Sequence, residues 1–227
     1  MQIEFFCQNN AIIGPTTLSR RTSRVQKPKS MFANEIYHVY NRGNNRQPIF
    51  FNRENYLFFL KKMRTHLLPT CDFLAYCLMP NHFHFLIKTD ERTVAQVAKT
   101  NREIAVTAFS RGLKTMLSSY ARAIQVQEKI TGSLFQQKTE KKQVSSANML
   151  EDYTLVCFRY ILQNAVKAKL AASPGLWEFC SYPDLAGLRN GTLCNRDLIH
   201  RELCMDFNTL EDLIGVPVTP EEERKIW

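Results

Sequence analysis

Apolar and polar residues alternate along the chain in two different periods, so the sequence predicts both strands and helices. Residues 35–43, EIYHVYNRG, alternate with a period of two, as a half-buried strand does, and lead into a turn. Residues 52–68 carry apolar side chains three and four positions apart, which predicts a helix that Asn52 can cap. The expected buried face of this helix is Tyr56, Phe59, Leu60, Met63 and Leu67.

Two short apolar segments follow, separated by Pro80 and Asn81, and predict a β-hairpin. They are FLAYCLM at 73–79 and HFHFLIKT at 82–89. Residues 93–129 and 149–170 show helical patterns, and Asn148 is placed to cap the second. The order strand, helix, hairpin, helix, helix predicts an α+β fold in which helices pack on an antiparallel sheet.

Charge divides the chain of 227 residues into three expected parts. Residues 1–32 are polar and basic and are expected to form a flexible extension, either a solvated tail or an arm that follows phosphates. Residues 33–191 are expected to form the folded domain, and residues 192–227 a C-terminal extension with an acidic tail. The formal net charge of +9 is typical of proteins that bind nucleic acids, although other polyanions are possible partners.

Cysteine usage and hydropathy bear on the compartment. Seven cysteines without a Cys-x-x-Cys pair argue against a zinc ribbon and against a disulfide framework. No run of about 18 apolar residues is present, so we expect no membrane partner. The interpretation is a cytoplasmic protein with reduced cysteines.

Two histidines in the predicted hairpin are the first candidates for chemistry. Because side chains alternate along a strand, His82 and His84 point to one face, while Phe83 and Phe85 point to the other, towards the core. Two neutral imidazoles at this spacing can bind one divalent ion. A His-x-His pair is a weak signal by itself, because strand histidines often only satisfy hydrogen bonds.

The apolar helix offers further candidates. Tyr160 and Asn164 are four residues apart and therefore share a helical face, which brings a phenol and an amide together. The alternative is that Tyr160 is an aromatic residue of the core, since this helix is apolar nearly all round.

Four segments together resemble the single-tyrosine transposases that carry a His-hydrophobic-His motif, and most closely the REP-associated tyrosine transposases. These segments are YHVYNRGNNRQPIF at 37–50, LMPNHFHFLI at 78–87, TGSLFQQ at 131–137 and FRYILQNAVKAKL at 158–170. The resemblance extends over residues 35–191. Within the fourth segment, Ala165 follows Asn164 where the family usually has proline, and the family's glycine near the helix end is absent.

This resemblance implies a ferredoxin-like antiparallel sheet with helices packed on one face. It implies that Tyr160 is a nucleophile that forms a 5′-phosphotyrosine bond with single-stranded or hairpin DNA. It also implies a divalent ion held by His82, His84 and Asn164, and this set of nitrogen and oxygen ligands suits Mg²⁺ or Mn²⁺. The residues expected to contact DNA are Arg42, Arg46, Lys138, Lys141 and Lys142.

Two rival functions stay open at this point. The chain could be a domesticated DNA-hairpin-binding protein of the same fold without catalysis, or a metal-dependent hydrolase that uses the histidines without Tyr160. A covalent adduct on Tyr160 would separate these from a transposase. The oligomeric state is expected to be a monomer or a homodimer.

Overall fold

A four-stranded antiparallel sheet lies at the centre of the computed structural model, which describes residues 31–99, 105–148, 150 and 152–227. The extension predicted at 1–32 lies outside these residues except for its last two positions. The strands are β1 (Ile36–Arg42), β2 (Asp72–Met79), β3 (His82–Lys88), β4 (Gln96–Lys99), β5 (Ala105–Thr107) and β6 (Glu140–Gln143). The sheet has the order β2-β3-β1-β6, and β4 and β5 form a separate hairpin.

The helices lie between and after these strands. They are α1 (Arg53–His66), α2 (Glu91–Val94), α3 (Ala108–Glu128), α4 (Thr154–Lys167), α5 (Tyr182–Leu185), α6 (Arg196–Leu203), α7 (Leu210–Gly215) and α8 (Pro220–Ile226). Short 3₁₀ turns occur at Asn44–Arg46, Leu68–Thr70, Pro174–Leu176 and Phe207–Thr209.

The order β1-α1-β2-β3-α3-β6, with β1 between β3 and β6, confirms the predicted α+β, ferredoxin-like arrangement. On one face of the sheet, α1 and α3 pack against aromatic side chains of β1 and β3. The cap predicted for α1 is present, because the side-chain oxygen of Asn52 accepts a hydrogen bond from the Asn55 backbone at 3.0 Å. Helix α3 contributes a stripe at helical spacing to this core, which is Phe109, Leu113, Met116, Tyr120 and Ile124.

Helices also cover the second face of the sheet, which extends the prediction of helices on one face. Helix α4 packs on β2 and β3, and its Phe158 and Ile161 share a core with Cys77 and Leu86 of the strands. Strand β2 is buried at seven of its eight positions, so both of its faces need a cover. Its unbroken apolar run is typical of a strand that is buried on both sides.

The C-terminal residues complete this second core. Helices α7 and α8 contact α4, and α6 contacts β2. Their buried apolar residues are Leu198, Ile199, Leu210, Ile214 and Ile226. The Arg159 guanidinium on α4 donates to the carbonyl oxygens of Val216 and Pro217 at 2.7 and 3.1 Å, which ties the loop before α8 to α4. The boundary expected at residue 191, between the folded domain and the C-terminal extension, stays a prediction.

Two helical predictions need correction. Residues 96–99 and 105–107 form the β4–β5 hairpin rather than part of a helix at 93–129, because strands this short leave no distinctive period. Helix α4 begins at Thr154, whose backbone nitrogen donates to the Asp152 carboxylate at 2.8 Å, so Asn148 does not cap it. The helix ends at Lys167 without a glycine, since Lys169 takes up the left-handed conformation with φ of 58°.

Two further observations bear on the earlier expectations. The six cysteines in the described part of the chain are all unpaired, as expected. None of the helices in the described ranges is long and apolar enough to cross a bilayer.

Candidate functional site

The paired strands β1 and β3 place four ring-bearing side chains on the α4 face of the sheet. In the antiparallel register, Tyr40 lies opposite His84 and Arg42 lies opposite His82. Residues directly opposite each other share a face, and His38 follows by alternation. The predicted orientation of the two histidines, away from the aromatic core of α1 and α3, is therefore confirmed by the register.

Helix α4 brings Tyr160 over this face. The ring centroids of Tyr160 and His84 are 5.5 Å apart and the rings are perpendicular. Asn164, one turn later, is buried, and its amide lies within hydrogen-bonding reach of both the Tyr160 phenol and the His82 imidazole. The structure thus brings together the four residues Tyr160, His82, His84 and Asn164 that come from two distant segments.

Hydrogen bonds fix the proton on the His82 ring. The Nδ1 atom of His82 lies 2.6 Å from the side-chain oxygen of Asn81. The Asn81 amide nitrogen donates to the Arg46 carbonyl oxygen at 3.2 Å, which orients the amide so that its oxygen faces the ring. Because an amide oxygen only accepts, Nδ1 of His82 carries the proton, and Nε2 keeps its lone pair.

A relay of the same kind fixes the proton on His84 through a residue that the sequence analysis missed. His38 Nδ1 lies 3.0 Å from the Ile226 carbonyl oxygen, and His38 Nε2 lies 2.9 Å from His84 Nδ1. The carbonyl only accepts, so His38 donates from Nδ1 and accepts at Nε2 from His84. The proton of His84 is therefore on Nδ1, and its Nε2 atom is left with a lone pair.

The donor atoms that remain fit a divalent ion. His84 Nε2 and Asn164 Nδ2 are fully buried and make no hydrogen bond with any described residue. Rotating the Asn164 amide by half a turn exchanges its nitrogen and oxygen, which are alike in shape, and turns the oxygen to the unpartnered position. Histidine ligands with a hydrogen-bonded second nitrogen are the usual arrangement around metals. His82, His84 and Asn164 could then hold the ion.

Among the described residues, the candidate site offers two histidines and one amide as potential ligands. In the described ranges, no group of three or more His, Cys, Asp and Glu side chains is placed to hold a metal. A site with so few protein ligands and no carboxylate leaves room for the oxygens of a bound phosphate and for water, as Mg²⁺ sites commonly do.

Burial sets the protonation of the site. Desolvation lowers the pKa of His38 to about 4, and that of His82 to about 4 with a further decrease from the nearby Arg42 charge. It lowers the pKa of His84 well below its usual value, and the neighbouring His38 adds to this. Burial raises the pKa of the Tyr160 phenol, whereas Asn164 opposes the rise. At neutral pH the three imidazoles are therefore uncharged, and the phenol is protonated.

Trp227 lies across the site and was also missed by the sequence analysis. Its ring centroid is 4.7 Å from that of Tyr40, 5.4 Å from His84 and 5.7 Å from Tyr160. The Lys142 ammonium donates to its backbone oxygen. Tyr160 is only 7% exposed, because the indole and the sheet beneath α4 both pack against it. No local sequence signal identifies Trp227, because its contact with His38 spans nearly 190 positions. The position of His38 on the same strand face as Tyr40, by contrast, could have been predicted from alternation along β1.

The five residues expected to contact DNA fall in different places. Arg42 and Lys138 line a cavity of about 320 Å³ beside His82 and His84, and Lys138 pairs there with Glu140 at 2.9 Å. Lys142 contacts Trp227 at the edge of this site. Arg46 is exposed on the turn after β1, and Lys141 points to the opposite face of the sheet, where its ammonium lies 3.3 Å from the Ser110 hydroxyl.

Sequence comparison and structural comparison give different results for this chain. No family model matches the chain, and no curated protein matches it. The chain is similar in structure to a REP-associated tyrosine transposase bound to a REP hairpin, at 13% sequence identity and a TM-score of 0.49, over 76% of this chain and 89% of that one.

Proposed function

We propose that this protein is a metal-dependent single-strand DNA endonuclease and strand transferase that uses Tyr160 as its nucleophile. The observation that carries the proposal is the position of Asn164, which lies beside both the Tyr160 phenol and His82. One turn of α4 thereby places the proposed nucleophile, Tyr160, and the proposed ligand Asn164 beside the two histidines of β3. A tyrosine that only filled the core would not need to lie beside His84 and Asn164, whose Nε2 and Nδ2 atoms are buried without hydrogen-bond partners.

In the proposed reaction, the Tyr160 oxygen attacks a backbone phosphorus. The new bond joins the phenol oxygen to the 5′ phosphate, and the phosphorus–O3′ bond breaks. The leaving O3′ keeps the electron pair of that bond and takes up the proton that the phenol loses, which gives a free 3′-OH. The phosphodiester energy is kept in the phosphotyrosine bond, so the same site can rejoin strands without a nucleotide cofactor. The reverse reaction needs only a 3′-OH in the same position.

The chain's own residues have separate tasks in this reaction. His82, His84 and Asn164 would hold the divalent ion, which, when bound, polarises the phosphate and offsets its developing charge. Arg42, in the cavity beside His82, is placed to bind a phosphate oxygen. Tyr40 and Trp227, which line the same cavity, offer ring faces for unpaired bases. The buried phenol must lose its proton as it attacks, since burial raises its pKa.

The decisive experiment is a search for a covalent protein–DNA species. A hairpin oligonucleotide with a single-stranded flank is incubated with the protein and Mg²⁺ or Mn²⁺, and products are separated under denaturing conditions. We expect an adduct that peptide mapping places on Tyr160 and that Tyr160→Phe abolishes. Tyr153→Phe, a change at the residue that precedes α4, is the matched control and should form the adduct normally. Cleavage that persists in Tyr160→Phe would instead indicate a hydrolase.

One observation favours a second candidate, a protein of the same fold that binds DNA without cleaving it. Tyr160 is 7% exposed and is not among the residues that line the cavity, whereas Trp227 lines the cavity and packs against the Tyr160 ring. If the wild-type protein binds hairpin DNA and forms no adduct with either metal ion, this binding function is the correct one.

A further inference from the structure

A second basic surface lies on the opposite face of the sheet from Tyr160. It is a groove of about 700 Å³ between α3 and the β4–β5 hairpin. We call it the α3 groove; its cations are Arg111, Lys114 and Arg122, and its hydroxyls are those of Thr115, Ser118 and Ser119. Ala98 and Val106 close it on the hairpin side.

The three cations form a row along one side of α3. Their positions, 111, 114 and 122, follow the helical repeat, and all three side chains are exposed. None of them makes an ion pair with a residue in the described ranges, and Glu128 is the only acidic residue of α3. Within the described residues these three positive charges have no acidic partner, so they repel one another, and a bound polyanion would relieve that repulsion.

The dimensions of the row fit a nucleic-acid backbone. Eleven residues of helix separate Arg111 from Arg122, which corresponds to about 16 Å along the axis. Each strand of a DNA duplex presents a phosphate about every 3.4 Å along the axis, so roughly five phosphates of one strand fall within that length, enough for each of the three cations. The Ser118 and Ser119 hydroxyls between the cations donate to the Thr115 and Met116 carbonyl oxygens of α3 at 3.3 and 3.1 Å, so the three cations are the groups available to a phosphate.

The chemistry of the lining separates this surface from the cavity at Tyr160. The described residues that line the α3 groove include no aromatic side chain, whereas Tyr40 and Trp227 line the cavity at the candidate active site. Unpaired bases bind by stacking on aromatic rings, and paired bases are stacked already. The groove is therefore suited to paired DNA, and the cavity to a single strand.

The edge strand β6 connects the two surfaces. Lys141 points to the α3 side and lies 3.3 Å from the Ser110 hydroxyl, next to Arg111 in sequence. Lys142, on the other face of the same strand, contacts Trp227, and Lys138, just before the strand, lines the cavity. Lysine side chains thus lie along the edge of the sheet from the groove to the candidate active site, where Lys138 is paired with Glu140.

From these observations we infer that the α3 groove binds the phosphate backbone of paired DNA, while the adjoining single strand passes around β6 to Tyr160. The groove is a binding surface and takes no part in chemistry. The path of the single strand rests on the proposed function; the binding of paired DNA by the groove does not.

Binding is measured in a Tyr160→Phe background so that the result does not depend on cleavage. The test variant carries Arg111→Gln, Lys114→Gln and Arg122→Gln, and the matched control carries Lys61→Gln, Lys129→Gln and Arg201→Gln, which removes the same charge from exposed residues outside both surfaces. Fluorescence anisotropy then gives the affinity for a blunt duplex, and for an unpaired strand of equal length, over a range of salt concentrations.

We expect the groove variant to bind the duplex about tenfold or more weakly than the control at moderate salt. The slope of log K against log salt should fall in magnitude by about 3, one for each lost phosphate contact. Affinity for the unpaired strand should change much less. Equal duplex affinity and equal salt slopes in the two variants would overturn the inference.

Two further outcomes separate the alternatives. If the groove variant loses binding to vesicles containing phosphatidylserine but keeps its affinity for the duplex, the groove is a membrane-binding surface and the inference is wrong. If no adduct ever forms on Tyr160 and the groove variant still loses duplex affinity, the proposed catalytic function fails while the groove stands. The two failures are therefore distinguishable.

Discussion

His38 Nε2 lies 2.9 Å from His84 Nδ1, although the two residues are 46 positions apart. His38 Nδ1 in turn faces the carbonyl oxygen of Ile226 at 3.0 Å. A backbone carbonyl can only accept, so the direction of both hydrogen bonds is determined from that end. The end of α8 thus sets which nitrogen of His84 is available to a metal, and His38 acts as a positioning residue.

Replacing His38 by phenylalanine should weaken metal binding while keeping the ring volume. We expect Mn²⁺ affinity, measured by electron paramagnetic resonance of the free ion, to fall about 10- to 100-fold, as is usual when a residue that orients a histidine ligand is lost. The control is His66→Phe, at the end of α1 and outside the candidate site, which should leave the affinity unchanged.

Nitrogen NMR of the metal-free protein gives an independent measure of the same change. In the wild type we expect His84 to be protonated on Nδ1 alone, and in His38→Phe to be a mixture of both tautomers. A single Nδ1-protonated form that persists in the variant, together with unchanged Mn²⁺ affinity, would show that His38 has no positioning role.

Asn164 provides a second test of the metal site. A carboxylate binds divalent ions more strongly than an amide, so Asn164→Asp should gain more thermal stability from added Mn²⁺ than the wild type does. Asn164→Ala should gain less than the wild type. A ligand at one hundred times its dissociation constant stabilises the folded state by about 2.7 kcal/mol, which is readily seen in a melting curve.

The order of the three melting responses is the result that matters. If wild type, Asn164→Asp and Asn164→Ala respond equally to Mn²⁺, Asn164 is not a ligand. Gln163→Ala, one position away on α4, loses hydrogen bonds to Ile214 and Val216 but no site contact, and serves as the control for general loss of stability.

The sequence predicts the fold well where burial imposes a period. The stripe on α3 and the alternation on β3 follow directly from the need to cover the two sides of one core. Failures occur where elements are too short for a period, as in the β4–β5 hairpin, or where local capping signals compete, as at Asn148 and Asp152 before α4.

The residues of the candidate site likewise fall into those that a local pattern predicts and those that only the fold reveals. His82 and His84 were predicted from alternation, and Tyr160 and Asn164 from helical spacing, because each pair lies within one element. The convergence of the two pairs needs the packing of α4 on the sheet, which no local pattern contains. His38 and Trp227 act through contacts across 46 and nearly 190 positions, so their roles emerge only from the fold.

Asp184 holds the loop after α5 and should be important for stability. Its buried carboxylate accepts hydrogen bonds from the Arg189 guanidinium, from the Gly191 backbone at 3.1 Å and from the Tyr76 hydroxyl at 3.4 Å. We expect Asp184→Ala to lower the free energy of unfolding by about 2–3 kcal/mol, since hydrogen bonds to a charged group are lost and buried donors are left unpaired.

Urea denaturation measures this difference. Glu178→Ala is the control, because its ion pair with Arg53 is largely exposed and should contribute little to stability. Equal losses in the two variants would show that the Asp184 cluster adds nothing beyond a surface ion pair.

Trp227 should limit the access of DNA to Tyr160. With its ring 5.7 Å from the Tyr160 ring and the phenol 7% exposed, a phosphate can approach only after the indole moves. If the open form is a minor state of about 10% or less, removing the ring should speed adduct formation about tenfold or more. Trp227→Ala tests this in single-turnover assays with hairpin DNA.

Trp227→Phe keeps an aromatic ring at the same position and should react at nearly the wild-type rate, so it controls for changes in packing around α8. The readout is the rate of adduct formation at saturating DNA, which excludes effects on affinity. An unchanged rate in Trp227→Ala would mean that the indole is not the barrier, and that α4 itself must shift before Tyr160 can react.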